Sequence, residues 1–263
     1  MSLRFLYENP LGRCALKLLT ARWLSSLCGA FLSSALSKPL IAPFVRNHGI
    51  DLSQFEQGYR CFNDFFTRKI KPGLRPFSDD PSALCSPCDG FLSVYPIENG
   101  TVMPIKQSAY SVCDLLQNEA LAEEFSGGCA LVFRLCVENY HRFHFFDSGK
   151  CGESVFIPGK LHTVRPIALR NVPVFTENCR EYTVLESENF GKAVQVEIGA
   201  MLVGRIKNHP GKKRFARGEE KGMFMFGGST VVLLLKNGAA TLDPRFSQAE
   251  TAVRCGETIG KKR

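Results

Sequence analysis

The chain has 263 residues, 44% hydrophobic and 22% charged, a composition that excludes a disordered tract and suits one sizeable core or a core with an appendage. Its 33 Lys and Arg against 25 Asp and Glu give a formal net charge of +8, which favours an anionic partner: nucleic acid, anionic lipid or a phosphorylated substrate. Eleven cysteines would suit a disulfide scaffold in a short secreted chain, but no signal peptide with a small-residue cleavage site opens this one, so reduced, cytosolic-side thiols are expected.

From Pro10 to Val45 the sequence is apolar with basic punctuation at Arg13, Lys17, Arg22 and Lys38, and helices in pieces are predicted. The longest uncharged run, Trp23 to Ser37, holds five serines and is shorter than the ~20 apolar residues of a spanning helix. It is expected to lie on a membrane surface, where buried apolar area and attraction to anionic lipid both contribute. The alternative is a helix pair packed into the core. Residues 51 to 80, with Phe62, Phe65, Phe66, Pro72, Gly73 and Pro76, read as a short helix and a turn-rich connection.

Beyond that point short Val-, Ile-, Phe- and Leu-rich runs alternate with Gly, Pro and Asn breaks. Strands are predicted at Phe91 to Ile97, Ala130 to Val137, Glu153 to Ile157, Tyr182 to Glu186, Ala193 to Ile198, Met201 to Ile206, Met223 to Phe226 and Thr230 to Leu235. No repeat or low-complexity tract interrupts them. The expected architecture is α+β, with hydrophobic helices over 1–50 and a β-rich, mainly antiparallel body over 51–263.

One junction carries unusual chemistry. In Phe224-Met225-Phe226-Gly227-Gly228-Ser229-Thr230-Val231 two apolar strands flank Gly-Gly-Ser-Thr, and composition alone favours a tight hairpin. Glycine also permits a strained peptide before a serine, where the hydroxyl can approach the preceding carbonyl without a Cβ in the way. That is the geometry of an N-to-O acyl shift, in which Ser229 Oγ attacks the Gly228 carbonyl. A serine hydroxyl needs a base, and the base an orienting group. Candidates are Asp89, in Ser86-Pro87-Cys88-Asp89-Gly90, and the pair His141 and His144 in Tyr140-His141-Arg142-Phe143-His144. Side chains three apart on a regular strand point to opposite faces, so a bend must intervene if both histidines serve one site. Cys85 and Cys88 have zinc-type spacing and could combine with the two histidines in a structural zinc site, the reading of a zinc-stabilised membrane-binding module. A nucleic-acid-binding β domain is disfavoured, because no aromatic-and-basic signature of such modules is present.

Ser-Pro-x-Asp-Gly, Tyr-His-Arg-x-His and Phe-Gly-Gly-Ser-Thr, in this order, resemble the phosphatidylserine decarboxylase family. The resemblance extends through Phe62-Asn63-Asp64-Phe65-Phe66-Thr67-Arg68, Lys106-Gln107-Ser108, Pro158-Gly159-Lys160-Leu161-His162 and Val196 to Gly204, which is nearly the full chain. It implies that Asp89, His144 and Ser229 form a charge-relay set for self-cleavage between Gly228 and Ser229, and that His141 serves decarboxylation. It further implies a pyruvoyl cofactor made from Ser229, which forms a Schiff base with phosphatidylserine and releases phosphatidylethanolamine and carbon dioxide without a metal. Two departures, Cys179 where many members carry Glu and Gly227 where many carry Leu or Val, leave the Gly228-Ser229 bond in place. The implied partners are phosphatidylserine, an anionic membrane surface on the cytoplasmic side of the cell membrane and the enzyme's own two chains (1–228 and 229–263), with room for a higher homo-oligomer. A related pyruvoyl decarboxylase of a free or modified amino acid is the alternative within the class, and the apolar N-terminus argues for the lipid.

Overall fold

Apolar residues spaced three and four apart drive the first part of the chain into helices: α1 (Leu3–Glu8), α2 (Pro10–Leu19), α3 (Arg22–Leu32), α4 (Ile41–His48) and α5 (Phe62–Phe66). The computed structural model describes residues 3–20, 22–98, 102–105, 108–163, 168, 171–200, 205–209, 213–226, 229–246 and 249–263. Short strands and helices follow: β1 (Ala83–Cys85), β2 (Gly90–Pro96), β3 (Val102–Ile105), β4 (Ser108–Ser111), α6 (Val112–Leu116) and α7 (Glu119–Glu123). Next come β5 (Cys129–Leu135), β6 (Arg142–His144), β7 (Gly149–Cys151), β8 (Val155–Ile157), α8 (Val174–Glu177), β9 (Arg180–Ser187) and β10 (Gly191–Ile198). The chain finishes with β11 (Ile206–Asn208), β12 (Arg214–Phe215), β13 (Glu220–Phe224), β14 (Ser229–Leu235), β15 (Ala240–Leu242), β16 (Thr251–Val253) and β17 (Thr258–Lys262).

A nine-stranded antiparallel sheet in the order β12-β7-β9-β10-β14-β5-β2-β16, with β8 also on β9, forms the body. The α+β class read from the sequence is the architecture observed. At its centre β14 is buried at every position, as an unbroken apolar run demands when both faces are covered. Val232 and Leu234 face one core cluster with Ile97, Leu115 and Val194, while Val231, Leu233 and Leu235 face the other with Phe133, Phe143 and Phe146. The hairpin expected around the Gly-Gly-Ser junction does not form. Strand β13 pairs with β6 and β11 in a separate three-stranded sheet, whereas β14 pairs with β10 and β5. An apolar strand with two buried faces gains more between two neighbours than on one arm of a ribbon. Of the strand expected over 201–206, only Arg205 and Ile206 lie within the described residues.

The N-terminal helices divide their surfaces. Leu6, Tyr7 and Leu16 join the main core, and Leu32 packs with Phe62, Phe65 and Phe66, against which Ile41, Phe44 and Val45 also rest. Leu11 (75% exposed), Leu27 (61%) and Leu36 (78%) point outward together with Phe31 and Leu40. Among the described residues no single helix is long and apolar enough to cross a membrane, and the pair Leu24–Leu32 and Ala35–His48 is bent by 85°. Gly49, at φ +60°, ends α4 in the left-handed conformation that glycine adopts without strain. Phe65 is the pivot of this attachment, fully buried and edge-on to Tyr59, Phe62 and Phe44 at 5.5, 5.6 and 5.9 Å. Phe65→Ala is expected to lower stability by about 3–5 kcal/mol, measured by urea unfolding, and to hasten proteolysis within residues 22–48. An unfolding midpoint equal to wild type would separate the helices' docking from this aromatic cluster.

Candidate active site

Strand register gathers the candidate residues at one end of the central sheet. Arg134 on β5 pairs with Phe91 on one side and Thr230 on the other, so the start of β2, the end of β5 and the start of β14 are level. Asp89 precedes β2, and Ser229, paired with Leu135, begins β14. Two strand spacings, about 10 Å, separate the β2 and β14 backbones. By alternation Ser229 shares the face of Val231 and Leu233, the face covered by Cys88, Phe143 and Phe145, which adjoin Asp89 and His144. Ser229 is 1% exposed, and its Oγ has no hydrogen-bond partner among the described residues. A buried, unpartnered hydroxyl costs free energy. Gly227 and Gly228 lie outside the described residues.

Asp89 is clamped. Arg75 Nε and Nη2 donate to Oδ1 at 3.0 Å and Oδ2 at 2.9 Å, and the Cys255 amide donates to Oδ1 at 2.8 Å. This fork-on-carboxylate geometry fixes orientation as well as charge. The next residue must be small, because a Cβ on Gly90 would stand 2.8 Å from the Arg134 carbonyl oxygen.

The two histidines occupy different surroundings. His141 precedes β6, and His144 ends it; the His141 carbonyl still accepts from the Phe224 amide of β13 at 2.9 Å, and the pairing is irregular between Phe143 and His144. The ring of His141 is fully buried, 4.0 Å from that of Phe66 between centroids. Its Nδ1 lies 2.9 Å from the Asn139 carbonyl, which can only accept, so Nδ1 carries the proton and Nε2 bears the lone pair. That carbonyl also accepts from Arg68 Nη2 at 2.9 Å, and the Glu138 carbonyl accepts from the same nitrogen at 2.6 Å. Nε2 of His141 is buried without a partner. His144 donates its amide to the Pro87 carbonyl at 2.8 Å and sets Nδ1 3.2 Å from Cys255 Sγ. Tyr140 and Phe77 flank the His144 ring at 5.9 Å.

Burial dominates the electrostatics. It lowers His141 to about 3, reinforced by the Arg68 guanidinium, and His144 to about 4, partly opposed by Glu220. Both rings are therefore neutral near pH 7, the state of a proton acceptor. The zinc arrangement of Cys85, Cys88, His141 and His144 is not assembled: among the described residues no three His, Cys, Asp or Glu side chains group to hold a metal ion. None of the eleven cysteines forms a disulfide.

A family model described as phosphatidylserine decarboxylase matches residues 62–261. The chain belongs to the phosphatidylserine decarboxylase family. It is 46% identical over 266 residues to phosphatidylserine decarboxylase proenzyme 2 of Clostridium acetobutylicum, covering 98% of this chain and 91% of that protein. It is also 42% identical to the phosphatidylserine decarboxylase proenzymes of Ruminiclostridium cellulolyticum, over 98% of this chain and 90% of the relative, and of Clostridium perfringens, over 97% and 91%. As a decarboxylase-family member the chain is an enzyme of the carboxy-lyase class.

Sequence reading did not single out Arg75, Asn139 or Cys255. Arg75 and Cys255 stand 14 and 166 positions from Asp89, separations that leave no periodic trace. Asn139, two residues before His141, was within reach as a local carbonyl in a turn.

Because His141 and His144 titrate lower in the folded chain than the ordinary 6.5, the unfolded state binds more protons between those values and stability rises with pH there. The contribution of these two histidines should be flat well above about pH 6.5, where they are unprotonated in both states, and fall steadily below it towards pH 4. His141→Asn should flatten that slope in urea titrations. An unchanged slope would mean that His141 is not buried in its neutral form.

Proposed function

We propose that the chain is a self-processing, pyruvoyl-dependent decarboxylase that converts phosphatidylserine to phosphatidylethanolamine and carbon dioxide at a membrane surface. The observation that carries this reading is Ser229: its hydroxyl is buried and unpartnered at the head of the central strand, on the sheet face that adjoins Asp89 and His144. The relatives' naming as proenzymes accords with it.

In the processing step His144 removes the Ser229 hydroxyl proton as Oγ attacks the Gly228 carbonyl carbon. The C–N bond breaks, the proton passes to the departing amine, and an ester links Gly228 to Ser229. Loss of the Ser229 α-proton with cleavage of the Cβ–Oγ bond frees Gly228 as a carboxylate and leaves dehydroalanine. Tautomerisation to the imine and addition of water then release ammonia. Asp89, fixed by Arg75, supports the positive charge that His144 acquires.

The pyruvoyl group left at residue 229 supplies an electron-withdrawing carbonyl for a substrate amine, as pyridoxal phosphate does elsewhere. Ser229 Oγ and His141 Nε2 are each buried without a partner among the described residues, and Nε2 is free to bond such a group. His141, neutral and with its lone pair on Nε2, takes a proton from the arriving ammonium and returns it to the carbon that has lost carbon dioxide. Asn139 and Arg68 hold the ring for both transfers.

Lipid access is supported by the helices. A cavity of about 650 Å³ borders Ser25, Gly29, Ser33, Asn63, Arg205 and Met225. A second, of about 410 Å³, is lined by Leu27, Cys28, Phe31, Leu32 and Phe226. Both adjoin the segment just before the junction, and Leu27 and Phe31 are exposed. An exposed apolar surface beside cavities that reach Met225 and Phe226 fits a lipid better than a free amino acid.

The mature protein should show two masses, for residues 1–228 and for 229–263 with a blocked amino terminus. The chains should co-elute natively and separate only in denaturant, because β14 lies between β10 and β5. An active preparation containing only the intact chain would defeat the proposal. Asp89→Ala and His144→Ala should accumulate the uncut chain, while His141→Ala should cut but lose about 10²-fold or more in decarboxylation. Normal cutting by His144→Ala with arrest in His141→Ala would exchange the histidines' roles.

Peripheral attachment should appear as sedimentation with phosphatidylserine vesicles that weakens with salt as Lys17 and Lys38 are screened. Replacing Leu27 and Phe31 by Asp should reduce it further. Equal partitioning onto neutral and anionic vesicles would remove the electrostatic part.

A further inference from the structure

Between Asp89 and His144 stands a residue from the far end of the chain. Cys255 follows β16, whose Val253 pairs with Gly90, and this places it at the same end of the sheet as the candidate site. It makes three polar contacts there. Its amide donates to Asp89 Oδ1 at 2.8 Å, its Sγ lies 3.2 Å from His144 Nδ1, and its thiol is 3.6 Å from the Pro87 carbonyl oxygen. Asp89 itself has both oxygens engaged by Arg75, with Oδ1 shared by the Cys255 amide. The structure gives no direct hydrogen bond between Asp89 and His144 among the described residues, so their connection runs through Cys255.

We propose that Cys255 is a positioning residue for self-processing, holding His144 with its proton on Nδ1 so that Nε2 is the basic nitrogen. This inference rests on the reading of His144 as the base for Ser229. The tautomer follows from the direction of the thiol hydrogen, towards Pro87 at 3.6 Å or towards Nδ1 at 3.2 Å, and we assign it to Pro87. A thiol has one hydrogen, and the Pro87 carbonyl can only accept, so S–H directed at Pro87 leaves sulfur lone pairs facing Nδ1. Nδ1 must then donate, and the imidazole lone pair lies on Nε2. The same Pro87 oxygen accepts the His144 amide, which closes a ring through His144 and Cys255. Burial holds the thiol well above its ordinary value, so sulfur stays neutral and does not draw a second proton onto the ring. The charged and titratable groups around His144 are Glu220, Arg142, Asp89 and Tyr140. None of them takes the Nδ1 contact. Because Cys255 lies in 229–263, the small product chain would retain the device that orients two groups of the large one.

Two measurements test this. In full-length Ser229→Ala, which cannot cut, nitrogen-15 NMR of the His144 ring should report protonated Nδ1 and unprotonated Nε2 at pH 7. In self-cleavage time courses of freshly synthesised precursor, Cys255→Val, which keeps the volume without hydrogen bonding, should slow cutting about tenfold or more. Cys255→Ser, which can accept from Nδ1 and donate to Pro87, should restore most of the rate. A protonated Nε2 in the arrested precursor overturns the proposal, as does wild-type cutting by Cys255→Val. His144→Ala that cuts normally would instead remove the base reading beneath it, whereas arrest in His144→Ala with normal cutting in Cys255→Val rejects the role of Cys255 alone. If Cys255→Val does not fold, the NMR result, obtained with native Cys255, decides.

Discussion

The pairing of β14 between β10 and β5 is the constraint on which the rest of the molecule depends. Seven residues of β14 are in register with β5 and six with β10, and both faces of the strand are core. Its first residue, Ser229, is anchored by its pairing with Leu135 on β5. For the self-processing proposed above, such anchoring is what an intramolecular attack exploits. The same pairing would reconcile the proposed cut with a stable fold, since a cut before Ser229 would leave the pairing of Thr230 to Leu235 with both neighbours in place.

Burial supplies the chemistry's second condition. A histidine in water is half protonated near pH 6.5, whereas His141 and His144 are kept neutral by their surroundings, Phe66 beside one and Tyr140 and Phe77 beside the other. Each ring also meets a polar group at Nδ1, the Asn139 carbonyl for His141 and the Cys255 sulfur for His144. The two rings are thus prepared differently although they stand three residues apart. Register with β13 shifts at the end of β6, between Phe143 and His144 opposite Gly222 and Glu220, and one ring meets Phe66 while the other meets Pro87 and Cys255.

The helices connect the sheet to the exterior through a small number of polar bonds. Asn63 Nδ2 donates to Ser33 Oγ at 2.8 Å on α3's trailing turn, and its Oδ1 accepts from the Phe226 amide at 3.2 Å. Phe226 also stacks edge-on with Phe62, Phe66 and Phe44 at 5.0, 5.0 and 6.1 Å. One side chain and one aromatic cluster therefore join the outward-facing helices to the segment just before the junction. The core reading of these helices describes one of their faces, and the other leaves large apolar side chains in the open.

The sequence by itself determined a helical start and a β-rich remainder, because its apolar runs are local, whereas the short helices α6, α7 and α8 stand unannounced between the strands. It also offered Gly-Gly-Ser between apolar runs and Asp-Gly before a strand, whose stereochemistry is carried within a few residues. Shorter strands such as β6, β7 and β12, two or three residues each, were too brief to show a period. Tertiary structure alone decided that β13 and β14 part into different sheets, that Arg75 clamps Asp89, and that Cys255 meets His144. These are contacts between segments 14 to 166 residues apart, fixed by strand register and by which faces must be buried, and neither is written in any short stretch of the chain.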